Sequence, residues 1–261
     1  MYEKKLKNVC VTGSGNGIGK AIAILLNEHG YNVACVDKNF NDAQKTIKQF
    51  KNKNTKSIAI LADISMIDEI SAMISKVVKA FGSLHIMINN AGVTRTSDIM
   101  GLNEDDWYWI NNINSKGTFF CLQAAAKQMK LQKSGGRIIN MSSIGARGFV
   151  DVSNIIYAGS KGAIISLTKT AAQQLGKYSI NVNAICPAPT FTDIVKKLIK
   201  TRALEQNKSE EEVLKHYMRD VPLGRFNEPN DIAEIVLFLS SNESQNISGQ
   251  SFNVDGGLIP S

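Results

Sequence analysis

The chain has 261 residues, 43% of them apolar and 20% charged, the balance of a globular protein that can bury roughly 75% of the surface its unfolded form exposes. A core of that size needs neither disulfides nor a structural metal, and no stretch approaches the roughly 20 unbroken apolar residues of a membrane span. The net charge of +7 raises the question of nucleic acid, but no zinc-finger, aromatic-platform or recognition-helix pattern accompanies it, so a nucleic-acid partner is not expected.

Met1–Lys7 leads from charged residues straight into a strand-like run, with no apolar secretory segment, which reads as a cytoplasmic protein. Seven short apolar runs follow in chain order: Asn8–Thr12, Asn32–Asp37, Ser57–Ala62, Leu84–Asn89, Arg137–Met141, Asn181–Cys186 and Ser251–Val254. Most are rich in Val and Ile at the length of strands buried on both faces. Between them apolar residues recur at helical spacing, as in Ile18, Ile22, Leu25 and Leu26 before Gly30, and in Ile67, Ile70, Ile74, Val77 and Val78 before Gly82. Each glycine marks a helix stop. Strand–helix alternation predicts a single-domain, doubly wound α/β fold, with seven parallel strands covered by helices on both faces.

Lys45, Lys48, Lys51, Lys53 and Lys56, interleaved with Ile47 and Phe50, read as one solvated helix face. Cys10, Cys35, Cys121 and Cys186 stand apart without CxxC spacing, and His29, His85 and His216 are equally scattered. Buried reduced thiols and no metal site are expected. The segment 190–225 breaks the rhythm and reads as a lid of two short helices, from Ile194 and Leu198, then Val213, Leu214 and Tyr217.

The first run ends in Thr12-Gly13-Ser14-Gly15-Asn16-Gly17-Ile18-Gly19 directly before a helix. Glycines in that place let the backbone approach a pyrophosphate, which a helix N-terminus stabilises. Asp37 closes the second run, where a carboxylate accepts ribose hydroxyls and repels a 2′-phosphate. NAD is therefore expected over NADP, although Lys38 next door could pair a phosphate. Ser143, Tyr157 and Lys161 form the candidate catalytic group, with Tyr157 and Lys161 four apart on one helix face. Lowering a tyrosine from its reference pKa of about 10 to about 7 takes roughly 4 kcal/mol, which a nearby ammonium and an oxidised nicotinamide can supply.

From about Leu6 to Gly257 these motifs resemble the short-chain dehydrogenase/reductase family. Asn89-Asn90-Ala91-Gly92 resembles its NNAG, Asn114-Ser115-Lys116-Gly117 the segment holding its catalytic asparagine, Tyr157-Ala158-Gly159-Ser160-Lys161 its YxxxK, and Asn253-Val254-Asp255-Gly256-Gly257 its C-terminal signature. The resemblance implies that Tyr157 exchanges a proton with the substrate, that Ser143 holds the substrate oxygen, with Ser142 the lesser candidate, and that Lys161 binds the nicotinamide ribose and lowers the Tyr157 pKa. It implies that Asn114 anchors a water between that lysine and solvent. Asp63 and Ile64 would contact adenine, Asn90 the adjoining ribose region and Thr192 the carboxamide, beside Gly13, Asn16, Gly17, Ile18, Gly19, Asp37 and Pro187. Two features depart from the family's pattern. Ser143 and Tyr157 are fourteen positions apart, one more than usual, so Ile144–Ile156 carries an insertion; and Pro187-Ala188 replaces proline-glycine.

Thr94, Gly145, Arg147, Asn154 and Ala188 are expected around the substrate together with the lid. Arg147 and Asn154 would give the mouth polar character, and the lid loosely resembles those of sugar-alcohol dehydrogenases. The expected activity is thus NAD-dependent interconversion of a secondary alcohol and a ketone, with a sugar alcohol or its phosphate as substrate. Lys196, Lys197, Lys200 and Arg202 could pair a phosphate, but read better as a solvated helix face. Two alternatives stand beside it: a 3-oxoacyl-[acyl-carrier-protein] reductase, which would normally prefer NADPH, and a catalytically silent NAD-binding regulator. The resemblance also implies a homotetramer, with helices around Asn103–Lys130 and Ile155–Lys177 pairing across subunits.

Overall fold

The computed structural model describes residues 8–149 and 153–259. Met1–Lys7, the piece 150–152 of the Ile144–Ile156 loop, and the side chains of Ile194 and Leu198 on the lid lie outside the described residues.

The apolar runs become β1 (Asn8–Thr12), β2 (Asn32–Asp37), β3 (Ser57–Leu61), β4 (Ile86–Asn89), β5 (Gly136–Met141), β6 (Ile180–Pro187) and β7 (Ser251–Val254). They pair in parallel in the order β3-β2-β1-β4-β5-β6-β7. This is the α/β architecture expected from the alternation. The order reverses between β1 and β4, and in such sheets the strand C-termini open a crevice at the reversal.

Successive strand residues face opposite layers. Val9, Val11, Val33 and Cys35 pack with Ile22, Leu26, Ile232 and Val236, from α1 (Gly17–Glu28) and α9 (Pro229–Ser240). Cys10, Ala34 and Val36 pack on the other face with Ile70, Met73 and Val77 from α3 (Ile67–Phe81), and with Cys121, Ala125 and Met129 from α5 (Thr118–Gln132). Each buried Val, Leu, Ile or Met side chain contributes roughly 1.5–3 kcal/mol. All four cysteines are free and buried in these layers or beside them. Among the described residues no helix is long and apolar enough to cross a membrane.

Three helical expectations change in detail. The lysine run is not one helix face: α2 (Phe40–Lys48) closes where Gln49 and Phe50 bond back to the carbonyls of Thr46 and Ile47, and Phe50 turns inward. Lys51, Lys53 and Lys56 therefore lie on the connection to β3, and Lys51 pairs with Glu28 of α1 at 3.0 Å. The helix expected around Asn103–Lys130 is α4 (Glu104–Asn111) and α5, joined by a π-helical turn, Asn112–Gly117. The helix from Ile155 is α6 (Ile155–Leu175), followed by a 3₁₀ turn through Tyr178. The segment 190–225 forms two short helices as expected, α7 (Asp193–Glu205) and α8 (Glu210–Met218), which meet through Ile199, Ala203 and Val213.

Candidate active site

The turn after β1 requires its glycines. Gly13 and Gly17 have φ of +64° and +52°, the left-handed region that favours glycine. A Cβ on Gly19 would lie 2.1 Å from the Gly13 carbonyl oxygen and 2.4 Å from Asn90 Nδ2. The loop after β4 locks this turn: Thr12 Oγ1 accepts from the N–H groups of Asn90 and Ala91, and Asn90 Nδ2 donates to the carbonyls of Thr12 and Gly13. Asn90 thus holds the turn with its own amide. Asn16 caps α1 in extended conformation without a side-chain cap bond, leaving first-turn N–H groups to an anion. Across the crevice, Asp37 Oδ2 accepts from Gly15 N–H and Oδ1 from Asn39 N–H, both at 2.9 Å. Gly15 must lack a side chain here, since a Cβ would lie 2.8 Å from that carboxylate.

These groups open onto one cavity of about 570 Å³, within the usual range for small-molecule sites. Its wall includes Gly13, Asn16, Gly17, Ile18, Gly19, Asp37, Lys38, Asp63, Ile64, Asn90, Pro187 and Thr192, and at the far end Ser143, Tyr157, Lys161, Ala188 and Thr94. A glycine cradle, a helix N-terminus and a carboxylate at the end of β2 fit a dinucleotide.

β5 delivers two serines with different tasks. Ser142 Oγ donates to the Lys161 carbonyl at 2.8 Å, so its proton is taken. Ser143 Oγ accepts from Gly145 N–H at 3.1 Å and keeps its own proton for Tyr157 or a substrate oxygen. That geometry favours Ser143 over Ser142. The helix spacing brings Lys161 Nζ to 5.6 Å from the Tyr157 ring centre, where it donates to the Met141 carbonyl at 2.8 Å. Burial pushes the Lys161 pKa down to about 8. Burial also pushes the Tyr157 phenol above its ordinary value, against a hydrogen bond with Ser143 that pulls it down. The lowering of Tyr157 implied by the resemblance needs an oxidised nicotinamide beside Lys161 as well as the ammonium; of the chain's own influences on the phenol, burial is the largest. Below about pH 8 the pair holds a protonated phenol beside an ammonium, the state that gives a proton to a ketone oxygen.

Asn114 is fully buried in the π-turn and lies off the cavity wall. Its Oδ1 accepts from Val93 N–H, and its Nδ2 donates to the Val93 carbonyl and to Ser160 Oγ. Both amide hydrogens are engaged by these bonds, so a water held by this side chain would donate to the second lone pair of Oδ1. π-turns inside helices are frequent at functional sites.

Of the residues expected around the substrate, Ser143, Tyr157, Ala188 and Thr94 reach the cavity, and three do not. Gly145 uses its N–H on Ser143. Arg147 is exposed and donates to the Ser251 carbonyl at 3.1 Å, on the β7 side of the sheet. Asn154 is 3% exposed and caps α6. The cavity wall also carries the apolar and aromatic residues Trp109, Ile113, Pro189, Val195, Tyr217 and Phe226. Tyr217 and Val213 share a face of α8 at i and i+4, a signal the lid sequence carries. Trp109 sits in Asp106-Trp107-Tyr108-Trp109, aromatic on successive faces, so periodicity cannot single it out. Tyr217, Phe226, Ala188 and Pro189 also border a smaller adjoining cavity of about 30 Å³.

The fold, glycine turn and serine–tyrosine–lysine group define a nicotinamide-dependent oxidoreductase of a known kind: the chain belongs to the short-chain dehydrogenase/reductase family. A family model described as enoyl-(acyl carrier protein) reductase matches residues 13–259. The 3-oxoacyl-[acyl-carrier-protein] reductase FabG of Staphylococcus aureus is 39% identical over 257 residues, covering 98% of this chain and 99% of the relative. The diacetyl reductase [(S)-acetoin forming] of Staphylococcus epidermidis is 37% identical over 254 residues, covering 97% and 98%. A short-chain type dehydrogenase/reductase from Mycobacterium marinum superposes with a TM-score of 0.88 at 27% identity, covering 98% and 96%. The chain is thus an NAD(P)-dependent enzyme acting on CH–OH groups.

Proposed function

We propose that this enzyme reduces the oxo group of a 3-oxoacyl thioester, with Tyr157 giving the proton and Ser143 holding the carbonyl oxygen. The observation that carries this reading is the end-to-end similarity to a 3-oxoacyl reductase, supported by the apolar residues that the cavity wall carries. The sugar-alcohol expectation rested on a loose likeness of the lid to those of sugar-alcohol dehydrogenases and on Arg147 and Asn154 making the mouth polar, and neither Arg147 nor Asn154 lines the cavity. A bound nicotinamide dinucleotide, held by the glycine turn, Asp37 and Lys161, would supply the hydride. The protein's share is to orient the carbonyl, hold the phenol proton and exclude water. An intact Ser143, Tyr157 and Lys161 speaks against a silent regulator.

A vicinal diketone is the second reading. It is favoured by the end-to-end similarity to a diacetyl reductase. Initial rates of cofactor oxidation at pH 7 with acetoacetyl and longer 3-oxoacyl thioesters, diacetyl and a panel of ketoses separate the readings. Turnover of the thioesters supports the first reading, and turnover of diacetyl alone supports the second. Activity confined to ketoses would restore the polyol reading against both.

NADH is the proposed reductant, because Asp37 faces the cavity where a 2′-phosphate would lie and Asn16 stands where a base would be needed. Asp37→Ser is expected to shift the NADH/NADPH ratio of kcat/KM toward NADPH by roughly tenfold, the size of a 1.4 kcal/mol interaction. An unchanged ratio would place selectivity elsewhere, with Lys38 the first alternative.

The chain is read as one domain, working as a cytoplasmic homotetramer. Trp107, Tyr108, Phe119 and Ile155 stand exposed on α4, α5 and α6, the helices that the family resemblance pairs across subunits. Sedimentation velocity on the purified chain reads the assembly directly, and a monomer would refute it.

A further inference from the structure

The peptide unit of Tyr157 is held from both ends by side chains that trace back to one short strap, Val93-Thr94-Arg95, just after β4. On the amide side, Tyr157 N–H donates to Asn154 Oδ1 at 2.8 Å, and Asn154 Nδ2 donates to the Arg95 carbonyl at 2.7 Å. On the carbonyl side, Ser160 Oγ donates to the Tyr157 oxygen at 2.7 Å and accepts from Asn114 Nδ2 at 3.1 Å. Asn114 in turn takes both the N–H and the carbonyl of Val93. Thr94, between the two anchor points, lines the cavity and meets the Ser153 hydroxyl. The strap is itself tied down, since the Arg95 guanidinium pairs with Asp106 and donates to the Gly101 carbonyl.

We propose that Asn154 is a positioning residue for Tyr157: it fastens the first turn of α6 to the Val93–Arg95 strap and so sets the phenol against the substrate oxygen. A helix cap needs only an acceptor, which Ser, Thr, Asp and Asn all supply. Asn154 additionally uses its donor end on another segment, and it is buried. Only asparagine among the common caps both accepts from the helix and donates an N–H outward at that reach. The circuit closes through Ser160 and Asn114, so a shift of the strap moves both ends of the Tyr157 peptide together. This inference rests on reading Tyr157 as the acid–base group.

The test separates capping from positioning. Asn154→Ser keeps a cap acceptor but is too short to hold the Arg95 carbonyl; Asn154→Ala loses both bonds. Steady-state kinetics with the best carbonyl substrate, melting temperature and the pH profile of kcat are measured for each, with Tyr157→Phe alongside. The expected result is an Asn154→Ser protein that melts with the wild type yet turns over roughly 10- to 100-fold more slowly, since misplacing a reacting group by about 1 Å costs that order. Its KM for NADH stays unchanged and its kcat–pH limb is displaced, while Asn154→Ala shows the same kinetic loss and a lower melting temperature. Wild-type kcat in Asn154→Ser would overturn the proposal and leave Asn154 a simple cap. Wild-type turnover in Tyr157→Phe would instead remove the acid–base reading, and with it anything for Asn154 to position.

Discussion

Tyr157→Phe is expected to lower kcat by roughly 10²–10⁴-fold, the usual contribution of a positioned acid–base group, while NADH still binds with near wild-type affinity. The ring remains, so its packing and the Asn154 and Ser160 bonds to its backbone survive. Only the hydroxyl that meets Ser143 is lost. Because burial holds the phenol protonated and Lys161 keeps its charge below about pH 8, the wild-type enzyme enters the reducing cycle with the proton in place. The variant has nothing to give, and a water would have to enter between Ser143 and the ring. Stopped-flow NADH binding beside steady-state turnover separates the two effects. Substantial residual turnover in the variant would take Tyr157 out of the mechanism.

Gly19→Ala carries the other large effect. Its new methyl would sit 2.1 Å from the Gly13 carbonyl oxygen, which is backbone, and 2.4 Å from Asn90 Nδ2, which is already bonded to that same turn. Neither neighbour can give way without moving α1 off β1. Overpacking of this kind costs about 1–3 kcal/mol or more, and each kcal/mol lowers the melting temperature of a chain this size by about 2–4 °C. The expected outcome is a melting point down by several degrees and NADH binding lost, since the displaced N–H groups of α1 are those that would meet the pyrophosphate. Gly30→Ala provides the contrast: its Cβ would meet nothing within 4 Å, so that variant should keep NADH affinity and suffer only from its φ of +84°. Undiminished NADH binding in Gly19→Ala would show that the turn is not the pyrophosphate cradle.

The sheet was legible because strands buried on both faces leave a plain trace, and Val9–Val11, Val33–Val36 and Ile138–Ile139 sit in such runs. The cofactor end was legible for a related reason: Gly13, Gly17, Gly19 and Asp37 act through backbone conformation and strand ends, which local sequence encodes. The substrate end was not. Arg147 and Asn154 are polar residues close in sequence to Ser143 and Tyr157, but their partners, the Ser251 and Arg95 carbonyls, arrive from distant strands and loops. Which carbonyl a side chain meets is decided by tertiary packing, and neither residue lines the cavity as expected. The lysine run failed differently. Spacing alone extended the helix past Lys48, whereas burial of Phe50 at 3% exposure turned the chain toward β3. The π-turn at Asn112–Gly117 has no periodic signature, so the bonds that hold Asn114 could be found only in three dimensions.

Hydride and proton are proposed to meet a carbonyl at Ser143 and Tyr157. The test is isotopic: NADH carrying deuterium at both C4 positions is supplied with acetoacetyl thioester and with diacetyl, and formation of the product alcohol is followed by mass spectrometry. The expected result is one deuterium on the new carbinol carbon with at least one of these substrates, formed at least roughly 10²-fold faster by the wild type than by Tyr157→Phe. An alcohol without deuterium, or labelled alcohol formed at equal rates by the two proteins, would contradict it.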